Sequence, residues 1–245
     1  MELAAGCEPY RAGFLDQPAN AVTSVAFVVA AAGILVGRRR SGTPCDTLVR
    51  DRQAVFALLV AGVGVGSFIQ HGPHPDWQAY AHDLPLAGVL VFVATDAASD
   101  LTGRELSHWW WLVPSVAMVP VVASGAAAST IVQAVMAAAA IGLNLVRVRR
   151  RPGLRKTVIA ALVAVAAGAV IGTLTDRTSL CQANSLVQGH AVWHVLAAAA
   201  LWRLSPAIGA RRRPPSPAAA SPTPPACSTP LDDQSCGHSL AHPSE

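Results

Sequence analysis

Charge is scarce in this 245-residue chain: 13% of its residues are Asp, Glu, Lys or Arg, against roughly 25% in soluble domains. Aromatic residues are scarcer still, at 5%. The apolar content, 52% of the chain, is therefore carried by Ala, Val and Leu in long runs. So little charge excludes an ordinary water-soluble domain, and the apolar runs exclude disorder over most of the length. Cysteine is limited to 5 residues with no CxxC pair, which excludes zinc-finger and dithiol-redox signatures. Internal repeats and nucleotide-binding glycine loops are also missing.

What is there is a series of apolar stretches divided by arginine clusters. Seven stretches approach the roughly 20 residues needed to cross a hydrocarbon core: 20–37, 54–71, 83–98, 109–124, 127–146, 157–174 and 189–204. Several are short and take in interfacial residues. Pro114 and Pro120 predict a kink in the fourth stretch, and Gly125 a tight hairpin into the fifth. Trp109, Trp110 and Trp111 read as an interfacial aromatic belt.

Orientation follows from the basic residues. Arg38, Arg39, Arg40, Arg50 and Arg52 fill the first connection, and Arg147, Arg149, Arg150, Arg151, Arg155 and Lys156 the fifth. Arg211, Arg212 and Arg213 follow the last stretch, whereas the second, fourth and sixth connections are nearly free of positive charge. The positive-inside rule then puts the N-terminus outside and the C-terminus in the cytoplasm. A pI near 9.1 is thereby accounted for as topology, and no nucleic-acid partner is expected. The positive cluster follows the first apolar run instead of preceding it, so that run is not a secretory signal peptide. The expected fold is all-α, a polytopic membrane protein whose seven-transmembrane-helix bundle occupies residues 1–204. From residue 205 the composition turns to Pro, Ala and Ser, which predicts a disordered cytoplasmic tail over 205–245.

Strongly polar side chains inside a membrane segment cost about 2.5–3.5 kcal/mol each, so those present are functional candidates. Ser67 and His71 lie four apart on the second stretch, and His190 and His194 four apart on the seventh; each pair shares a helix face. Asp83 opens the third. Alternating topology brings all five to the same outer part of the membrane. Three imidazoles and a carboxylate at one depth suit a catalytic zinc site, with three protein ligands and an open position for water. Interhelical hydrogen bonding by His190 and His194, an interfacial position for His71, helix capping by Asp83 and small-residue packing by Ser67 are the alternative readings. Asp96 and Asp100, near the cytoplasmic end of the third stretch, read as solvated.

The segments CEPY…QPAN, SFIQH, HDLPLAG and LCQANSLVQGHAVWHVLAA resemble the alkaline ceramidase family. That family belongs to a superfamily of seven-helix membrane hydrolases that also includes the adiponectin-receptor type. Its pattern is Ser-x-x-x-His on helix 2, Asp on helix 3 and His-x-x-x-His on helix 7. Ser67, His71, Asp83, His190 and His194 match it in type, order and position, and the resemblance covers residues 6–204.

The resemblance implies that His71, His190 and His194 hold zinc, which lowers the pKa of its bound water. It further implies that Asp83 deprotonates that water and passes the proton to the leaving amine, while Ser67 donates to the oxyanion. The implied reaction is hydrolysis of a ceramide-like lipid amide, entering from the bilayer, to fatty acid and sphingoid base. That would be a step of sphingolipid metabolism at the plasma membrane, with the active site towards the outer face. A disulfide between Cys7 and Cys181 is implied as well, on the side where disulfides persist; Cys45, Cys227 and Cys236 are expected reduced. The acidic calcium site of eukaryotic members is matched only in part: Glu8 is kept, but Gln17, with Asp16 beside it, stands at the acidic position, Ala5 and Tyr10 stand where polar ligands are expected, and Thr23-Ser24 stands for the usual Ser-Asn although Asn20 is kept. No protein partner is expected. A receptor-like protein with structural zinc and little turnover, and a small proton-coupled transporter, are the rival functions.

Overall fold

The computed structural model describes the backbone of residues 7–40, 47–178, 181–185 and 187–210, and every regular element among these is helical. In order they are α1 Pro18–Arg40, α2 Thr47–His71, α3 Gln78–Thr102, α4 Trp109–Val116, α5 Met118–Ala123, α6 Ala126–Arg150, α7 Arg155–Arg177 and α8 Gly189–Leu204. All seven expected stretches are helical, the fourth as α4 and α5 together. Five helical segments are long and apolar enough to cross a membrane: Pro18–Gly37, Val49–His71, Gln78–Thr102, Ala126–Arg150 and Pro152–Asp176. These are the marks of a helical integral membrane protein. Large apolar side chains such as Val29, Leu58, Ile131, Val135 and Val163 stand exposed, a surface that suits lipid and not water.

Helix α3 is central: 56% of its apolar window is buried, against 17% for α6 and 22% for α7. On one side α2 packs between α1 and α3, and α8 lies between α1 and α7. Phe27, Ile34, Phe56, Val60 and Phe92 fill the core where α1, α2 and α3 meet, with the Phe56 and Phe92 rings stacked at 6.1 Å. Backbones come closest at glycine, as membrane helices require. A Cβ on Gly66 would collide with the Ala81 carbonyl of α3, and one on Gly189 with the Thr175 side chain of α7.

Pro114 and Pro120 divide the fourth stretch as expected, since each removes an amide donor from the helix; α4 stops at Val116 and α5 begins at Met118. Gly125, at φ 120°, turns the chain directly into α6. Trp109 and Trp110 are exposed, whereas Trp111 faces inward with its ring 5.6 Å from that of Phe92.

Three expectations are corrected. Asp83 does not open α3, which starts at Gln78, so it lies more than a turn inside the helix and is not its cap. The ordered domain does not end at 204: Ser205–Ala207 form a 3-10 turn, and Ala207 and Ile208 are buried. The rest of the expected tail, 211–245, lies outside the described residues, as do Cys45, Cys227 and Cys236. Finally, Asp96 and Asp100 are buried, because three arginines and that turn close over them. Asp96 accepts from Arg147 Nη1 at 3.2 Å, Arg52 Nη1 at 3.3 Å and the Gly209 amide at 3.1 Å. Asp100 accepts from Arg147 Nε at 2.8 Å and Arg151 Nη1 at 2.7 Å. Arg147, itself buried, also donates from Nη2 to the carbonyls of Ala207 and Ala210 at 2.7 and 3.0 Å.

Candidate metal centre

Helix α2 ends on His71, and α8 begins with Gly189 and His190, so the two termini deliver their histidines to the same end of the bundle. His194 follows one turn later on the same face of α8. The ring centroids stand 5.0 Å apart for His71 and His190, 5.2 Å for His71 and His194, and 4.6 Å for His190 and His194. One ligating nitrogen from each ring lies within 4.8 Å of the other two. Nitrogens sharing a single zinc at about 2.1 Å stand roughly 3.4 Å apart, within the spread of these three.

Two of the rings are held so that a lone pair faces the cluster. Gln17 Nε2 donates to the Glu8 carbonyl at 2.6 Å, which leaves Gln17 Oε1 to accept from His71 Nδ1–H at 2.6 Å. His71 Nε2 is then unprotonated, buried and without a hydrogen-bond partner. His194 Nδ1 donates to the Asn20 carbonyl at 3.1 Å, with Thr23 Oγ1 beside it at 3.2 Å. That leaves His194 Nε2 as an acceptor, and Ser67 Oγ stands 3.2 Å from it. Ser24 Oγ lies 2.9 Å behind Ser67 Oγ. An orphaned imidazole nitrogen among two others, each ring fixed through its far nitrogen where a partner exists, is the arrangement by which proteins hold metals. The residues present fit a metal ion.

Of the five candidates, the structure therefore brings together Ser67, His71, His190 and His194. Asp83 stands outside the triad's contacts. Its Oδ1 accepts from His82 Nδ1 at 2.7 Å and its Oδ2 from Ser129 Oγ at 2.5 Å, while Gln133 Nε2 donates to the same serine oxygen at 2.9 Å. Sequence reasoning passed over His82, Ser129 and the positioning part played by Gln17. Only the first carried a signal, as the immediate neighbour of Asp83.

The N-terminal segment is fastened to the connection before α8. Cys7 and Cys181 form a disulfide with Cα atoms 5.5 Å apart. The Cys7 amide donates to Asp176 Oδ1 at 3.0 Å. Glu8 gives both carboxylate oxygens to the start of α1, accepting from the Ala19 amide at 2.8 Å and the Asn20 amide at 3.0 Å. A carboxylate there satisfies orphan donors and complements the helix dipole.

Fold and site together define an α-helical membrane protein with a three-histidine cluster, two of its rings buried and one half-buried, able to hold a metal ion. No protein-family model matches the chain, and no curated protein matches it.

Proposed function

We propose that this protein is a zinc-dependent intramembrane amide hydrolase of the alkaline ceramidase type, cleaving a ceramide-like lipid to fatty acid and sphingoid base. The observation that carries the reading is the orphaned, preoriented Nε2 of His71 beside His190 and His194. Three imidazoles as the protein ligands favour zinc in a catalytic role, in which a fourth position is left to water. When bound, zinc supplies the Lewis acidity that makes water a nucleophile at neutral pH.

The chain's own residues do the rest. His71, His190 and His194 hold the ion. Ser67 Oγ stands 3.2 Å from His194 Nε2, where its hydroxyl would donate to a substrate carbonyl oxygen as it turns negative. Asp83, steadied by His82, takes the proton of the attacking water on a carboxylate oxygen and delivers it to the leaving amine. The bundle crosses the membrane seven times with the N-terminus outside. The arginine-rich ends of α6 and α7 and the disulfide at the histidine end support that orientation.

One observation favours a second reading, a receptor-like zinc protein with little turnover: Asp83 is already engaged by His82 and Ser129. Zinc content of the detergent-purified chain, with release of fatty acid from long-chain ceramide in mixed micelles, separates the two. Hydrolysis predicts about one zinc per chain, lost in His71→Ala and His194→Ala. Asp83→Asn then keeps zinc and abolishes turnover, and Ser67→Ala keeps zinc with turnover down roughly 10²–10³-fold. Zinc without any lipid-amide hydrolysis points to the receptor-like protein. Wild type without zinc overturns both.

A further inference from the structure

The end of the bundle opposite the histidines holds a cavity of about 570 Å³ between α1, α7 and α8. Lys156 and Thr157, in the first turn of α7, and Arg203, at the end of α8, form its polar wall, and no carboxylate lines it. Lys156 and Arg203 are exposed. Neither pairs with a carboxylate among the described residues, whereas Arg52, Arg147 and Arg151 at the same end all do. The Arg203 guanidinium lies over the Trp202 ring, 5.8 Å from its centroid. Gly37 of α1 also lines the cavity, and a Cβ there would stand in open space, with nothing within 4 Å. The flanking helices expose apolar side chains, Val36 on α1 and Val163 on α7 among them.

We propose that this cavity binds the headgroup phosphate of an anionic phospholipid. Lys156 and Arg203 neutralise the phosphate, and Thr157, whose hydroxyl no described residue engages, donates to it. The acyl chains lie along the exposed apolar faces of α1 and α7. Two cations without acidic partners, at the rim of a lipid-facing helix bundle, attract an anion. The apolar flanks favour one that carries acyl chains over a free phosphate. The site is separate from the histidine cluster and does not depend on what that cluster does.

Lys156 is the sole lysine of the chain, so acylation by an amine reagent reads occupancy at this position, with the N-terminal amine as internal reference. The full-length protein in neutral detergent would be dosed with phosphatidylglycerol, phosphatidylcholine or inorganic phosphate, and lipid retention followed by native mass spectrometry. Phosphatidylglycerol is expected to slow acylation of Lys156 and to be retained. Arg203→Gln should weaken its binding roughly 5-fold, and the double variant with Lys156→Gln roughly 30-fold. Gly37→Leu adds bulk to the cavity lining without changing charge and should lower retention. Arg155→Gln removes an exposed neighbour that does not line the cavity and should leave retention unchanged. Equal protection by phosphatidylcholine, protection by inorganic phosphate at the same concentration, unchanged retention in Gly37→Leu, or an equal loss in Arg155→Gln would each overturn the proposal.

Discussion

A histidine ligates through whichever ring nitrogen lacks a proton, and at His71 a neighbour makes that choice. Gln17 can present only its oxygen, because its nitrogen is bound to the Glu8 carbonyl. Gln17→Leu keeps the volume and removes both hydrogen bonds, freeing the ring to rotate and change tautomer. Loss of such an outer partner typically lowers metal affinity 10–100-fold. Zinc competition against a chromophoric chelator should show a drop of that order, with helix content by circular dichroism unchanged. The histidines were legible in the sequence because a spacing of four puts two rings on one helix face. Gln17 was not: in sequence it reads as a departure from an acidic pattern, and its meaning lies in a contact with a residue 54 positions away.

At the scale of elements, the site depends on how closely α2 approaches α3 and α8 approaches α7. Gly66 immediately precedes Ser67, and its Cα faces the α3 backbone, with His82 Cα 2.9 Å from where a Cβ would sit. Even Gly66→Ala must push the helices apart, because the obstacle is backbone and not a flexible side chain. The displacement should carry Ser67 and His71 away from α8. Bound zinc is expected to fall below half of the wild-type stoichiometry, whereas Gly142→Ala, where a Cβ meets nothing within 4 Å, should retain it in full. Helix positions were readable from apolar runs and from Pro114, Pro120 and Gly125, whose effects are local. The start of α3 was not. The segment Gln78 to His82, polar at both ends, looks like a connection in sequence, yet it opens the helix because its first turns pack beneath α2.

For the molecule as a whole, the burial of Asp96, Asp100 and Arg147 carries the folded domain past Leu204. Charges at the rim of an apolar stretch ordinarily meet water, which is why the sequence pattern made them solvated. What excludes water here is the turn at 205–210, and the arginine that neutralises the two aspartates is also the one that binds that turn. Removing one partner from a buried charge network strands the others, typically at about 3–5 kcal/mol. Arg147→Met should therefore lower the thermal midpoint in detergent sharply, whereas Arg149→Met, an exposed neighbour two residues on, should leave it nearly unchanged. The same network predicts the outcome of truncation. A chain ending at Ala210 keeps the Ala207 and Ala210 carbonyls and the Gly209 amide that Arg147 and Asp96 bind, and should melt with the wild type. A chain ending at Leu204 loses all three partners and exposes the aspartates, so its midpoint should fall as far as that of Arg147→Met. If instead the 204 truncation melts with the wild type, the turn is not what covers the network, and the domain ends where the composition changes.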